Sequence, residues 1–476
     1  MHHQQHPISR KFTGRRVLVT LSLALSAVAS GMVAAPVGAA EPEKLAPISA
    51  GAFRLATDEN QWTQYQQGIA AVERSGAVSA ATPLNVATSG QHKGRPGLCH
   101  GVAPLETRLV PDGFCWDQVD DNTNSWSAGG GWTPQGMSAS HDSTPTGTVG
   151  GSHLYLASWY FARCKQQDSP GTCDHGKDAQ GNDKAGRETE SLARISIVKN
   201  AGSTSTTYGH VLLVRPDPSP TTNFSAVDNT HADGMVWYGN RLFIANGGEL
   251  QVYDMRHLWR MTTIAAKIGV TDGKTSSARW HQWAMPMIGS YRIPGAGAAR
   301  DCAPGTGRLC LSTLSLDRST YPDSLISAEH VSYGASAPSK GDPPQRGNRG
   351  RVVRWPLNAD VALPKADDGT GIGNVTATAA YTSPVWAMQG AATDGTYFYM
   401  SGACPPSWSE HPNPGSTEAY SCIHRAKAGE APVALSKSPR LTQNLSYAPN
   451  SGRLWGLNES LYGPDGDRSV FSLKVR

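Results

Sequence analysis

Apolar and polar residues alternate along most of this 476-residue chain in short runs separated by Gly, Asn and Asp. That is the period of half-buried strands rather than of helices. One unit recurs: a polar residue beside a small one, an extended run, a turn, then an apolar strand. It is written as Pro134-Gln135-Gly136-Met137 with Leu154-Tyr155-Leu156-Ala157, and as Ala232-Asp233-Gly234-Met235 with Leu242-Phe243-Ile244-Ala245. It returns as Met388-Gln389-Gly390-Ala391 with Tyr397-Phe398-Tyr399-Met400, and as Gln443-Asn444-Leu445 with Leu454-Trp455-Gly456-Leu457. Leu309-Cys310-Leu311 with Leu325-Ile326-Ser327-Ala328 is a looser copy. Third strands are expected at 193–198, 249–253, 350–357, 422–425 and 469–475, and outer strands at 210–214 and 376–381.

No unit of this size buries its own face, so neighbours must stack. Repeated sets of three or four antiparallel strands describe propeller blades. The expected fold is therefore an all-β propeller over residues 96–476, with five blades, long loop insertions and hairpin disulfides; six or seven blades stay open. A solenoid fits less well, because the units differ too much in length. The insertions fall at 166–190, 260–280, 332–349 and 405–420, all polar and rich in turn formers. Residues 41–95 show no repeat and read as an N-terminal extension. Within it, Trp62, Tyr65, Ile69 and Val72 lie at helical spacing and predict a helix over 60–74, stopped by Ser75-Gly76.

Residues 1–40 read as an export signal. Arg10, Lys11, Arg15 and Arg16 precede a mostly apolar stretch at 17–35, and small residues then offer cleavage after Ala40. Ser22, Ser26, Ser30 and Gly31 make that stretch a poor membrane anchor. The leader holds four of the 42 Lys and Arg residues and no acid, so the remainder balances its 38 acidic residues. No basic stripe remains to displace counterions from a phosphate backbone, which disfavours nucleic acid as a partner. No later run is long and apolar enough to span a bilayer. The expected destination is extracellular.

Eight cysteines in an exported chain read as disulfides. Spacing suggests sequential pairs: Cys99 with Cys115, Cys164 with Cys173, Cys302 with Cys310, and Cys404 with Cys422. Other connectivities remain open. No Cys-x-x-Cys and no paired His spacing point to zinc.

Cys115-Trp116-Asp117, Trp132-Thr133-Pro134-Gln135-Gly136, Gly209-His210-Val211-Leu212-Leu213-Val214, His231-Ala232-Asp233-Gly234-Met235-Val236-Trp237-Tyr238-Gly239-Asn240 and Arg351-Val352-Val353-Arg354-Trp355-Pro356-Leu357 together carry a family likeness. The chain resembles secreted propeller-type proteins of actinomycetes over most of 99–476. The resemblance implies export and a propeller, and it assigns no catalytic residue.

Aligning the repeats on their small residue places Gln135, Asp233, Gln389 and Gln443 (or Asn444) in matching slots, where they are expected to face a central channel. A channel wall that meets water must satisfy its polar groups, which accounts for such a ring without any ligand. His231 stands two positions before Asp233, so strand alternation puts both on one face. That pair suits a proton shuttle, or equally a structural hydrogen bond. Glu329-His330 ends the second strand of the third unit, and His141-Asp142 follows the first strand of the first. Should these ends share a rim, Asp142, Asp233 and Glu329 would converge, and paired acids serve glycoside hydrolysis.

Trp126, Trp132, Trp159-Tyr160-Phe161 and Trp237-Tyr238 lie near strand ends, where they would stack on a sugar ring or fill the space between blades. Residues 117–124 are rich in oxygen ligands but lack the EF-hand spacing, so a solvated turn is expected. No Gly-x-Ser-x-Gly elbow, zinc-protease helix or P-loop is present.

Two functions remain open. The first is a binding module for an extracellular glycan or protein, using Gln135, Gln389, Asn444, His141, Asp142 and Trp126. The second is a carbohydrate-active hydrolase or lyase using Asp233, His231 and Glu329. Either is expected to act as a monomer without a cofactor.

Overall fold

The computed structural model describes residues 43–100, 104–121, 131–162, 192–331 and 349–476, apart from gaps at 201, 203, 228, 297–301, 306, 406–407, 409–419 and 460–467. The export signal and Trp126 lie outside the described residues. So do Cys164 and Cys173, the two cysteines expected to pair within the first insertion.

The protein is a five-bladed β-propeller. Blade 1 runs outwards as Gly131–Ala139, Tyr155–Ala162, Leu192–Asn200 and Thr206–Pro216, each strand antiparallel to the last. Blade 2 is Gly234–Tyr238, Arg241–Asn246, Glu249–Asp254 and Trp283–Arg292. Blade 3 is Thr313–Asp317, Ser324–Ala328, Gly350–Asn358 and Ala379–Ser383. Blade 4 is Gly390–Thr393, Phe398–Ala403, Tyr420–Ala426 and Val433–Arg440. Blade 5 takes three strands from the C-terminal end, Thr442–Ala448, Arg453–Asn458 and Ser469–Lys474, and a fourth, Asp112–Cys115, from before blade 1. That borrowed strand closes the ring by joining the two ends of the repeat array.

The looser third copy needed correction. Its inner strand is Thr313–Asp317, not Leu309-Cys310-Leu311. The earlier triplet is held by the Cys302–Cys310 disulfide and by a single bridge from Leu311 to Gly247. Two more of the expected disulfides are present, Cys99–Cys115 and Cys404–Cys422. The described disulfides are therefore three of the four expected, and the pairing of Cys164 with Cys173 is not among them, because both residues lie outside the described segments.

The repeated small residue has a physical reason. A Cβ on Gly234 would lie 2.3 Å from the Leu314 nitrogen, one on Gly136 3.0 Å from the Met235 nitrogen, and one on Gly390 2.6 Å from the Gln443 carbonyl. At these points inner strands of adjacent blades come too close for any side chain. Hydroxyls then stitch the seams: Ser158 Oγ donates to the Ala232 carbonyl at 2.8 Å, Ser315 Oγ to Ala391 at 2.6 Å, and Ser401 Oγ to Gln443 at 2.8 Å. Gly234→Ala meets backbone, which cannot yield, so it should lower stability by about 3 kcal/mol. Gly51→Ala, with nothing within 4 Å of its Cβ, should stay within about 0.5 kcal/mol of wild type. Urea midpoints of the two variants check this.

The N-terminal extension covers outer edges that would otherwise be open. Ala46–Ile48 pairs with the outer strand of blade 3, and Arg54–Thr57 with that of blade 2. His92–Pro96 joins the outer strands of blades 1 and 5. Between them the helix Glu59–Ser75 starts where Asp58 accepts from Asn60 N, and stops at Gly76 with φ of 73°. It buries Trp62, Tyr65, Ile69 and Val72 against the outer strands of blades 2 and 1, each contributing about 2 kcal/mol. Gly289 makes the slot for Trp62, since a Cβ there would sit 2.2 Å from the indole.

Candidate functional site

Antiparallel order decides which polar residues meet. The start of an inner strand and the end of a second strand lie at the same end of a blade; the end of an inner strand lies at the other. Asp233 therefore shares a rim with Glu329 and His330, whereas His141 and Asp142 sit at the opposite end. The convergence of Asp142 with Asp233 and Glu329 does not occur.

His141 and Asp142 are interior groups. Asp142 Oδ2 accepts from Ser138 Oγ at 2.7 Å and Ser446 Oγ at 2.9 Å, and its backbone carbonyl accepts from Arg318. Burial pushes the Asp142 carboxyl up to about 6 and the His141 imidazole down to about 3. Glu329 is fully buried and committed. Its carboxylate accepts from Arg351 Nε, Nη2 and backbone N at 2.5, 2.6 and 3.0 Å, and from Cys310 N at 2.9 Å. It ties the disulfide loop to the third strand of blade 3, with no lone pair left for a substrate.

Asn444 is also committed, accepting from Thr313 Oγ1 and Leu314 N and donating to the Met137 carbonyl at 2.8 Å. It bolts blade 5 to blades 3 and 1. Gln443 is buried and donates to the Leu441 carbonyl, while Gln389 stays partly exposed.

Gln135, His231 and Asp233 do come together at the channel mouth. His231 Nδ1 lies 2.7 Å from Asp233 Oδ1, and the imidazole stacks on Tyr160 with centroids 4.0 Å apart. Gln135 Nε2 donates to a carboxylate absent from the sequence reading, that of Glu459. Burial raises the Glu459 carboxyl, opposed by the Gln135 hydrogen bond. His330 is lowered by burial, with the Asp233 charge working against the shift. Glu459 follows the second strand of blade 5 as Glu329 follows that of blade 3, and this shared slot was the signal that could have found it.

Beside the mouth, on the same rim, blade 1 carries a cavity of about 340 Å³. Trp132 and Phe161, at the rim ends of the first two strands, form one wall, and Trp280 another. Arg194, His92, His210 and His281 supply polar lining. The Arg194 guanidinium lies over the Trp132 and Trp159 rings at 4.4 and 5.1 Å. His281 Nδ1 is 3.0 and 2.8 Å from the Ala278 and Arg279 carbonyls; carbonyls only accept, so Nδ1 carries the proton and Nε2 the lone pair. Burial lowers His281 to about 3 and His210 to about 4, keeping both imidazoles neutral.

Under this cavity lies 117–121, the described part of the segment expected to be a solvated turn, and for Asp120 and Asp121 that expectation fails. Asp120 and Asp121 are buried, at 6% and 2% exposure. Asp120 accepts from Arg194 Nη2 at 2.6 Å, Tyr208 Oη at 2.6 Å and His210 Nε2 at 3.0 Å. Burial alone would raise this carboxyl, but His210 and Arg194 outweigh it and hold it well below the usual range. Asp121 accepts from Arg95 and from Arg468 N, and the Arg468 side chain donates to the carbonyls of Trp132 and Glu459. One arginine thus joins the floor of the cavity to the channel mouth.

The turn bearing Trp280 is strained. His281 N donates to the Ala278 carbonyl at 2.9 Å, and the two residues between, Arg279 and Trp280, have φ of 45° and 68°. Positive φ at both central positions is the type I′ pattern, which favours Asn-Gly and disfavours bulky residues. Here it holds an indole that is 66% exposed beside the cavity. This turn ends the insertion at 260–280, which the sequence presents only as polar loop.

No protein-family model and no curated protein matches the chain. Among solved structures, it is similar to Pseudomonas fluorescens PhoX in complex with vanadate, a transition-state analogue. That likeness has 8% identity and a TM-score of 0.32, over 91% of this chain and 97% of that one. It is also similar to XC5397 from Xanthomonas campestris, a gluconolactonase, with 11% identity and a TM-score of 0.29, over 80% of this chain and 96% of that one. The propeller assignment rests on the blade pairings, not on these likenesses.

Proposed function

We propose that the protein is a secreted module that binds a glycan in the blade 1 cavity at the propeller rim. The observation that carries the proposal is Trp280, an exposed indole held at a costly backbone conformation beside an aromatic-walled cavity. Strain of this kind persists where function needs the side chain. A cavity of about 340 Å³ suits a small ligand bound by apolar walls and a few placed polar groups. Trp132, Phe161 and Trp280 offer flat faces to sugar C–H groups, and neutral imidazoles with Arg194 offer hydrogen bonds to hydroxyls. Disulfides support an oxidising, extracellular setting, and no described helix is long and apolar enough to cross a membrane.

Trp280→Gly provides the test. Glycine accepts positive φ freely, so the variant should gain about 1 kcal/mol of stability. Glycan-array retention should fall by at least about tenfold, the equivalent of about 1.4 kcal/mol. Undiminished retention would remove the cavity from the account.

A second reading is a carbohydrate-active hydrolase at the channel mouth. It is favoured by the raised carboxyl of Glu459 beside the His231–Asp233 pair, an acid and a base in adjoining positions. New reducing ends from a polysaccharide, lost in both Glu459→Gln and Asp233→Asn, would support turnover there. Retention without turnover supports the binding module.

A further inference from the structure

We infer that His92, Asp120 and His210 form a binding site for a divalent transition metal of the zinc class, set in the inner wall of the blade 1 cavity. The inference goes beyond glycan binding and stands whether or not a sugar enters the cavity. The three donor atoms all lie within 4.8 Å of one another. Asp120 Oδ2 is 3.0 Å from His210 Nε2 and 3.6 Å from His92 Nδ1. Ligands bonded at about 2.1 Å to one ion stand about 3.0 Å apart in an octahedral shell and about 3.4 Å apart in a tetrahedral one. The two sides of the triangle that meet at Asp120 are therefore already the size of a coordination edge. The two imidazoles meet edge to face with centroids 4.5 Å apart, as rings converging on one point do.

The groups around these donors hold them as metal ligands are usually held. Ser196 Oγ lies 2.9 Å from His210 Nδ1 and is itself fixed by Trp159 Nε1 at 2.7 Å. Arg194 occupies Asp120 Oδ1 at 2.6 Å, while Oδ2 faces the imidazoles and also accepts from Tyr208 Oη at 2.6 Å. Asp117 Oδ2, 2.6 Å from His92 Nδ1, is a further anionic donor within reach. Two imidazole nitrogens with carboxylate oxygen are a donor set for zinc and its neighbours, not for calcium or magnesium. Because His92 and His210 line the cavity, the remaining coordination positions open onto the space where a ligand would sit. The competing arrangement is the hydrogen bond between His92 Nδ1 and Asp117 Oδ2 at 2.6 Å, which a metal would have to displace.

The experiment strips the full protein with a chelator, then titrates it with Zn²⁺ by calorimetry and with Co²⁺ by visible absorption, with no glycan present. One equivalent of each metal per chain is expected, with ligand-field bands for cobalt. His92→Ala, at a partly exposed position, should weaken binding by at least about 100-fold. X-ray absorption of the zinc-loaded wild type, which needs no variant, should show two imidazoles on the ion. Absence of stoichiometric binding, binding unchanged in His92→Ala, or a shell without imidazole would each overturn the site and leave the His92–Asp117 hydrogen bond in its place. Loss of glycan retention with metal binding intact would instead count against the cavity's sugar.

Discussion

Lowering the pH from 7 to 4 is expected to remove about 7 kcal/mol of stability, enough to unfold much of a protein whose total margin is about 5–15 kcal/mol. The cause is histidine burial. His141 and His281 are lowered to about 3 and His424 to about 4, in each case first by burial. An unfolded imidazole titrates near 6.5, so between that pH and about 4 the unfolded chain binds protons that the folded chain refuses. Each such group then costs the native state about 1.4 kcal/mol per pH unit as the pH falls, and nothing above pH 6.5. Asp142 works in the opposite sense. Raised to about 6, it stays protonated in the fold where an unfolded carboxyl ionises, so acid relieves it between about 6 and 4. Of these three histidines one is thereby offset and two remain, and His153 and His210, each lowered to about 4 first by burial, act in the same sense. Urea unfolding at pH 7, 5 and 4 should show midpoints falling steeply, and equal midpoints would refute the account. His424→Gln keeps a donor for the Ala403 carbonyl, which lies 2.8 Å from His424 Nε2, and should flatten the slope by one proton.

Arg351→Met is expected to destabilise the fold by about 3–5 kcal/mol, because it strands a carboxylate that has no access to water. Glu329 is 0% exposed and Arg351 is its cationic partner, at 2.5 Å. The double variant, Glu329→Gln with Arg351→Met, should recover most of the loss, since the buried charge is then gone from both sides. Single and double variants compared by thermal unfolding form a cycle that reads the coupling directly. The same variants bear on function. If Glu329 only braces the Cys302–Cys310 loop, Glu329→Gln should change stability while ligand retention in the distant blade 1 cavity stays level.

Glu329 and Glu459 show where sequence reasoning stopped. Both follow the second strand of a repeat, and the local pattern does not distinguish them. What separates them is the neighbour: Arg351 neutralises Glu329, whereas Gln135 offers Glu459 only an amide. Similarly, Asp120 sits in a run that resembles a solvated turn. It becomes a buried anchor because Arg194, Tyr208 and His210, from two strands of blade 1, close over it.

The amino-acid sequence by itself determined the strands, the five-fold repetition, the helix Glu59–Ser75 with its Gly76 stop, and the neighbour-to-neighbour disulfides that the structure describes. All of these depend on side-chain period, turn chemistry and capping within a few tens of residues, so local order carries them. Tertiary structure alone decided which polar residues meet. Gln135 reaches Glu459 across 324 positions of the chain, and the Asp112–Cys115 strand closes a blade begun at Thr442. Such meetings depend on how the blades pack around the ring and on which end of each antiparallel strand faces the rim, and no local pattern of residues encodes either.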